Sequence, residues 1–288
     1  MTAILSRAAL DARRFPSDQL EALFQAVLVD DMVDAKTALP DRITLEHDAA
    51  LLADSFRICR QLWLEGVEPG ELRALLDLLA RDRDLGAADR LRFKHARAKL
   101  KHFRFACALY GAGHRYPPVT DWMTTTLGHL QDAFKNGQAG RVGRRVRMTR
   151  LLLASLPSAL MRRERDRLDL TSSDGFLAYL RREIAGLAGL LARADVTGAE
   201  FHAGRKIASR QVAFYDNMRI IRPSEEAFCM SRSLAAINGL MGDMHDRLIE
   251  RRVAGVQDYH RERFGLPTDI RDRIGALIDR YSSSGLRV

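Results

Sequence analysis

Helical periodicity constrains the fold of this chain more than any other feature of its sequence. Segments such as residues 72–85 and 175–194 place apolar side chains at i, i+3, i+4 and i+7, the spacing that lines one face of an α-helix. No window shows the sustained alternation of apolar and polar residues, rich in Val, Ile and Thr, that is typical of strands. The sequence therefore predicts an all-α protein. The predicted helices span residues 17–30, 43–64, 69–82, 87–111, 119–136, 141–163, 173–194, 198–221, 224–252 and 268–282.

The length and the linkers of the chain predict compactly joined helical bundles. With 288 residues, 47% of them hydrophobic, the chain can bury a sizeable core without disulfides or a structural metal. We predict an N-terminal helical extension over residues 1–42 and a helical domain over 43–282, whose halves span 43–168 and 173–282. The main predicted linkers, all too short to tether two domains flexibly, are 111–118, 136–140, 169–175 and 196–198.

The balance of charges favours an anionic partner. Lys and Arg number 46 against 37 Asp and Glu, which gives a net charge of +9 and a pI near 9.9. Such a chain suits nucleic acid, phosphate polymers or acidic lipid, and charge alone does not choose among them.

Cys59, Cys107 and Cys229 lie far apart without a CxxC pair, which predicts reduced thiols and a cytoplasmic location. No apolar stretch reaches 18 residues, so we expect neither a membrane span nor a secretory leader.

A weak internal repeat pairs a basic helix with a glycine-containing helix. Residues 94–110 precede the segment Leu127–Asp132, and residues 202–217 precede Met241–Asp246, so both copies end on the pattern [LM]-G-x-x-x-D. The second copy of this pattern follows the first by 114 residues. That period is too long for a solenoid repeat and favours a duplicated helical bundle.

The first basic helix carries charge of one sign. Seven Lys and Arg residues and no carboxylate lie between Arg90 and Arg104. Arg97, Lys101 and Arg104 follow i, i+4, i+7 spacing and share a helix face, which Lys94 extends by one turn. Like charges at this spacing repel, so a bound anion would relieve an electrostatic cost. The alternative is an ordinary solvated face, although such faces usually mix charges of both signs.

The second copy and the two glycines extend this pattern. We interpret Gly128 and Gly242 as positions of close helix packing, and Asp132 and Asp246 as buried or half-buried carboxylates that hold basic side chains. A further basic run at 141–150 carries five Arg whose positions scatter round the helix, so that only some of them can face one ligand. The weaker basic cluster of the second copy consists of His202, Arg205, Lys206 and Arg210.

These motifs resemble those of the conserved histidine α-helical domain (CHAD) family. In that family a helix of the form H-x-x-R-V-x-x-R-R-L-R precedes L-G-x-x-x-D, twice in one all-helical chain. Here Lys94 stands at the first histidine position. The second half fits two registers: His202 and Arg205 are the histidine and first arginine, with Arg210 at a later basic position, or Lys206 is the first basic position. In the first half the family's basic positions are occupied by Arg97, Lys101, His102 and Arg104.

The resemblance, over roughly residues 45–280, implies two four-helix bundles related by a pseudo-two-fold axis. It also implies that basic residues of both bundles line a positive cavity that binds inorganic polyphosphate without catalysis, and that the protein associates with polyphosphate granules. It implies no cofactor. The polyphosphate-binding residues expected on this basis are Lys94, Arg97, Lys101, His102, Arg104, His202, Arg205, Lys206 and Arg210.

Two alternatives belong to other functional classes. A nucleic-acid-binding helical protein would suit the charge, but aromatic residues make up only 7% and no recognition-helix motif is present. An enzyme acting on a phosphorylated substrate would need a catalytic constellation, and the chain has no P-loop, G-x-S-x-G or G-x-G-x-x-G motif. Asp243 and Asp246 can share a helix face, but His245 turns away from them. We therefore predict a non-enzymatic protein without a metal.

Overall fold

The computed structural model describes residues 14–29 and 37–286, and within them the predicted all-α class is confirmed. Parts of the predicted extension, 1–13 and 30–36, lie outside the described residues. The helices of the described residues are α1 Ser17–Leu28, α2 Ala49–Gly66, α3 Pro69–Asp82, α4 Ala87–Tyr110, α5 Pro118–Lys135, α6 Ala139–Leu152, α7 Ser155–Asp166, α8 Ser173–Leu191, α9 Gly198–Ile221, α10 Glu225–Val253 and α11 Thr268–Ser283.

Local sequence signals set the starts of the helices that carry the basic clusters and their partners. Before α9, Thr197 and Glu200 form a capping box: the Glu200 amide donates to the Thr197 hydroxyl at 3.3 Å, and the Thr197 amide donates to the Glu200 carboxylate at 2.8 Å. Ser224 caps α10 by accepting from the Ala227 amide at 3.1 Å. Pro118 occupies the first turn of α5, where a missing N–H costs nothing.

Three predicted elements differ from those observed. The helix predicted over 43–64 begins only at Ala49, where the Asp48 carboxylate accepts from the Leu51 amide at 2.7 Å and marks the helix start. The helix predicted over 141–163 is two helices, α6 and α7, with a break at Leu153–Ala154. Pro157 lies in the first turn of α7, where its missing N–H is tolerated; inside one continuous helix it would remove a hydrogen bond and clash with the preceding turn. The predicted linker 196–198 overlaps a short strand, β1 Asp195–Thr197, which pairs antiparallel with β2 Arg263–Gly265.

The described residues divide into two compact units. The first unit holds the described residues through Phe24 together with Ala53–Thr171, and the second holds the described residues of Gln25–Leu52 and those from Ser172 onward. The boundary at 171 and 172 falls inside the predicted linker 169–175. Across the described chain, no helix combines the length and apolar character that a membrane crossing needs.

Each unit has its own apolar core. In the first unit Phe93 and Phe103 are buried on α4, and the Trp63 ring stacks on Phe103 with centroids 4.9 Å apart. In the second unit the hydroxyls of Tyr215 and Tyr281 lie 3.0 Å apart in the core, where burial raises the pKa of both phenols. Because these cores hold α4 and α9 rigidly, the basic side chains on those helices have defined positions.

Candidate functional site

In the first unit an arginine of α4 covers a glycine of α5. A Cβ atom on Gly128 would lie 3.1 Å from Nη2 of Arg97, closer than an ordinary van der Waals contact. The bare backbone of the glycine thus lets the guanidinium lie against the helix, and its Nη1 donates to Oε1 of Gln131 at 3.2 Å. The close packing predicted at Gly128 therefore involves an arginine side chain.

The second unit contains the same contact between α9 and α10. A Cβ atom on Gly242 would lie 2.9 Å from Nη2 of Arg205. One turn before Arg205, the His202 ring stacks on the His245 ring with centroids 4.5 Å apart. His245 Nε2 lies in turn 3.0 Å from the Tyr259 hydroxyl. The contact of Arg205 with Gly242 and the stack of imidazole rings therefore start from positions one turn apart on α9.

The other side chains predicted to bind polyphosphate differ in how exposed they are to solvent. Lys94 and Lys206 are exposed, whereas Lys101 is half-buried with its Nζ 5.5 Å from the Phe105 ring centroid. His102 is only 4% exposed and lies on the buried side of α4. The lysines of α4 near the glycine contact are therefore the exposed Lys94 and the half-buried Lys101, and the exposed lysine next to Arg205 on α9 is Lys206.

Arg104, at the far end of the predicted row, is engaged by a carboxylate. Its Nη1 lies 2.8 Å from Oδ1 of Asp121 in the first turn of α5. The guanidinium also lies against the Tyr116 ring, 4.6 Å from its centroid. Stacking and ion pairing together hold this arginine in one place, and its charge is compensated within the first unit.

Arg210 has an even more enclosed partner. Its Nε and Nη2 both donate to Oε2 of Glu183 on α8, at 2.7 and 2.6 Å, and both side chains are 13% exposed. The Tyr179 hydroxyl donates to the same oxygen at 3.0 Å. Sequence reasoning missed both ion pairs because the carboxylates lie 17 and 27 residues away, on other helices.

The prediction that the Asp132 and Asp246 side chains are buried or half-buried is wrong. Asp132 is exposed, and the Asp246 side chain is 76% exposed, with Oδ1 3.7 Å from Nδ1 of His245. Gly128 and Gly242 are themselves buried, each under a half-buried arginine. One turn beyond such a position the helix face already reaches solvent.

Other basic residues of α4 have structural contacts. Lys99 Nζ donates to the Gly66 carbonyl at 3.0 Å and lies 4.3 Å from the Phe24 ring centroid. The ring of His95 meets the same Phe24 edge-on at 5.0 Å. Partial burial, then the nearby Lys99 and Lys94, lower the pKa of His95. Burial and the positive charges of α4 therefore both disfavour the protonated form of His95.

Within the described ranges, no group of three or more His, Cys, Asp or Glu side chains is placed to hold a metal ion. Comparison with known protein families, with curated proteins and with solved structures found no match. The described residues define an all-α protein in which a basic helix of each unit packs an arginine on a glycine of the following helix.

Proposed function

We propose that this chain binds inorganic polyphosphate, or a similar phosphate polyanion, through the basic helices α4 and α9, and that it does so without catalysis. The observation that carries the proposal is the arginine-on-glycine contact present in both units, at Arg97 and Gly128 and at Arg205 and Gly242. Each contact anchors a guanidinium among further cations, and the chain has a net charge of +9.

The same contact supports an internal duplication of the kind found in the CHAD family. Arg97 and Arg205 occupy equivalent places relative to a [LM]-G-x-x-x-D helix, which favours the register in which Arg205 is the first arginine of the second copy. His202, one turn earlier, then stands at the family's histidine position. In this proposal the protein is a divergent CHAD member that associates with polyphosphate granules in the cytoplasm.

The geometry of α4 suits a long polyanion better than a small one. At a rise of 1.5 Å per residue, Lys101 lies about 6 Å along the axis from Arg97 and about 10 Å from Lys94. A chain of linked phosphates can meet all three cations at once, whereas a single orthophosphate reaches one or two. Binding to several phosphates releases counterions, so affinity for polyphosphate falls steeply with salt.

The decisive test uses matched pairs of substitutions on one helix. The double variant Lys94→Gln, Lys101→Gln removes one exposed and one half-buried cation beside the glycine contact and leaves Arg97 on its glycine. We expect weaker binding of long-chain polyphosphate and a salt slope that is smaller by about one to two, because the slope counts the charges engaged. Affinity is measured at two salt concentrations, with melting temperatures to confirm folding.

The control removes the same charge from the same helix. Arg90 pairs with Asp84 at 2.6 Å, and Arg92 pairs with Glu71 at 2.7 Å, so Arg90→Gln, Arg92→Gln subtracts two cations already compensated by acids. We expect this variant to bind nearly as tightly as the wild type. Equal losses in both variants would show that only net charge matters and would contradict a specific site. Duplex DNA that competes as well as polyphosphate would favour the nucleic-acid alternative.

A further inference from the structure

A basic cavity lies in the first unit, where the end of α3 meets α6. Its volume is about 470 Å³. Gly140, Gly143, Arg144 and Arg147 follow i, i+3, i+4, i+7 spacing and present one face of α6 to it. The basic run at 141–150 therefore does not scatter completely, because three of its five arginines, including Arg150 at the rim, line one space.

The fourth arginine comes from another helix. Arg83 ends α3 in the left-handed conformation, with φ of 61°, and its amide donates to the Leu79 carbonyl at 3.2 Å. This turn carries the side chain across α6, where a Cβ atom on Gly143 would lie 2.6 Å from Nη1 of Arg83. Glycine at 143 therefore leaves the space that the Arg83 guanidinium occupies beside the cavity.

Of the four arginines that line the cavity, only Arg150 has its charge compensated by an acid in the described residues. In the part of the chain that the structure describes, no hydrogen bond or ion pair engages the side chains of Arg83, Arg144 or Arg147. The nearby carboxylates are held by other arginines: Asp77 by Arg150, and Asp82 by Arg81 at 2.9 Å. Asp84 likewise pairs with Arg90. Three guanidinium groups thus face a cavity with no acid to neutralise them.

The backbone adds to the same potential. Ala139 and Gly140, the first two residues of α6, line the cavity, and Gln138 before them provides no side-chain cap. The amide end of a helix carries a partial positive charge and suits anions. The rest of the lining is Ala80 and Val146, so the cavity has no aromatic side chain on which a nucleobase could stack.

We propose that this cavity binds an oligophosphate group, that is, two or three linked phosphoryl groups. Arginine forks match phosphate oxygens in bidentate geometry, and three uncompensated forks call for more negative charge than one phosphate provides. The site differs from the α4 row in helix and in residues, and it does not require the α4 row to bind. The end of an inorganic polyphosphate and the triphosphate of a nucleotide share this chemistry.

The test is calorimetric titration of the full chain with tripolyphosphate. We expect the double variant Arg144→Gln, Arg147→Gln to bind tripolyphosphate roughly tenfold more weakly. A tenfold loss of affinity corresponds to the loss of about one charge-assisted hydrogen bond. The matched control is Arg141→Gln, Arg145→Gln, which removes the same charge from the same helix at two positions outside the cavity lining. We expect the control to bind within twofold of the wild type, and thermal melts report whether both variants fold.

Two further titrations complete the design. ATP that binds as tightly as tripolyphosphate supports recognition of any triphosphate, and ATP that binds much more weakly assigns the site to inorganic oligophosphate. Orthophosphate that binds as tightly as tripolyphosphate would overturn the proposal, as would equal losses in the two α6 variants or no loss in either. The Lys94→Gln, Lys101→Gln variant separates the two sites, because it should weaken long polyphosphate and leave tripolyphosphate binding to α6 unchanged.

Discussion

The two units share one contact and differ in how they neutralise a neighbouring arginine. Arg97 and Arg205 both lie on a glycine of the following helix. Arg104 of the first unit pairs with Asp121, whose side chain is 42% exposed, whereas Arg210 of the second pairs with an enclosed Glu183. The shared contact follows from a short motif that occurs twice, and the ion pairs follow from the packing particular to each unit.

The units also differ in the chemistry of their central helices. The buried face of α4 is mostly apolar and includes Phe93 and Phe103. In α9, by contrast, Ser209 donates to Oδ1 of Asn238 at 2.6 Å, and Asp216 accepts from Ser231 at 2.7 Å. Removing the partner of a buried polar group costs more stability than removing an apolar contact at the surface. The second unit should therefore be the more sensitive of the two to polar substitutions and to pH.

The largest expected effect concerns His47 of the second unit. Its ring is 4% exposed, and within the described residues neither ring nitrogen has a hydrogen-bond partner. Burial, and to a lesser degree the Arg222 charge, lower its pKa to about 4, while Asp48 acts in the opposite sense. Between pH 6.5 and 4 the unfolded chain therefore binds a proton that the folded chain excludes. The free energy of unfolding should therefore decrease by about 3 kcal/mol as the pH drops across that window.

Urea denaturation at pH 7 and pH 4.5 checks this for the wild type and for His47→Phe. We expect the variant to lose less stability in acid, because the excluded proton site is gone. His129→Gln serves as the comparison from the first unit: partial burial also lowers the pKa of His129, but its side chain is exposed, so we expect a smaller change in pH dependence there. A wild type and a His47→Phe variant with the same pH dependence would refute the assignment.

The next largest effect concerns the two ion pairs, which should differ in how much each stabilises its unit. Glu183→Ala removes the carboxylate from an enclosed arginine and should cost about 2–3 kcal/mol of unfolding free energy, since breaking a buried pair strands a charge. Asp121→Ala removes a partly exposed partner and should cost about 1 kcal/mol or less. Chemical denaturation measures both, and Glu183→Gln, which keeps an acceptor, should fall between them. Equal losses of unfolding free energy in the two alanine variants would mean that the enclosed and the partly exposed ion pair contribute equally to stability, contrary to this prediction.

The smallest effect that we expect is on stability, from substitutions of the glycines that contact Arg97 and Arg205. Alanine in place of a helical glycine normally stabilises by about 0.5–1 kcal/mol, and Gly189→Ala in α8 should do so because its Cβ would meet nothing within 4 Å. Gly128→Ala and Gly242→Ala should lose that gain, since the new Cβ displaces a guanidinium. Thermal melts of the three variants test the order, with Gly242→Ala least favourable. A gain at all three positions would show that the arginines move away freely.

Local patterns explain why much of the fold was predictable. Apolar periodicity, the proline of α5 and the serine before α10 act within a few residues, so sequence places most helices near their observed bounds. Pro157 carried the signal for the break between α6 and α7, because a proline suits a first helical turn and not a helix interior. The role of Gly128 and Gly242 as packing positions was also readable, although the side chain that covers each was not.

The helical class and the two places where a basic helix precedes [LM]-G-x-x-x-D could be derived from the sequence, because they depend on residues close together along the chain, and the excess of positive charge follows from composition. The pairing of Arg104 with Asp121 and of Arg210 with Glu183, and the approach of Arg83 to the arginines of α6, could be found only in the folded structure. Those contacts join residues 17 to more than 60 positions apart, and their geometry depends on how whole helices pack rather than on any local preference.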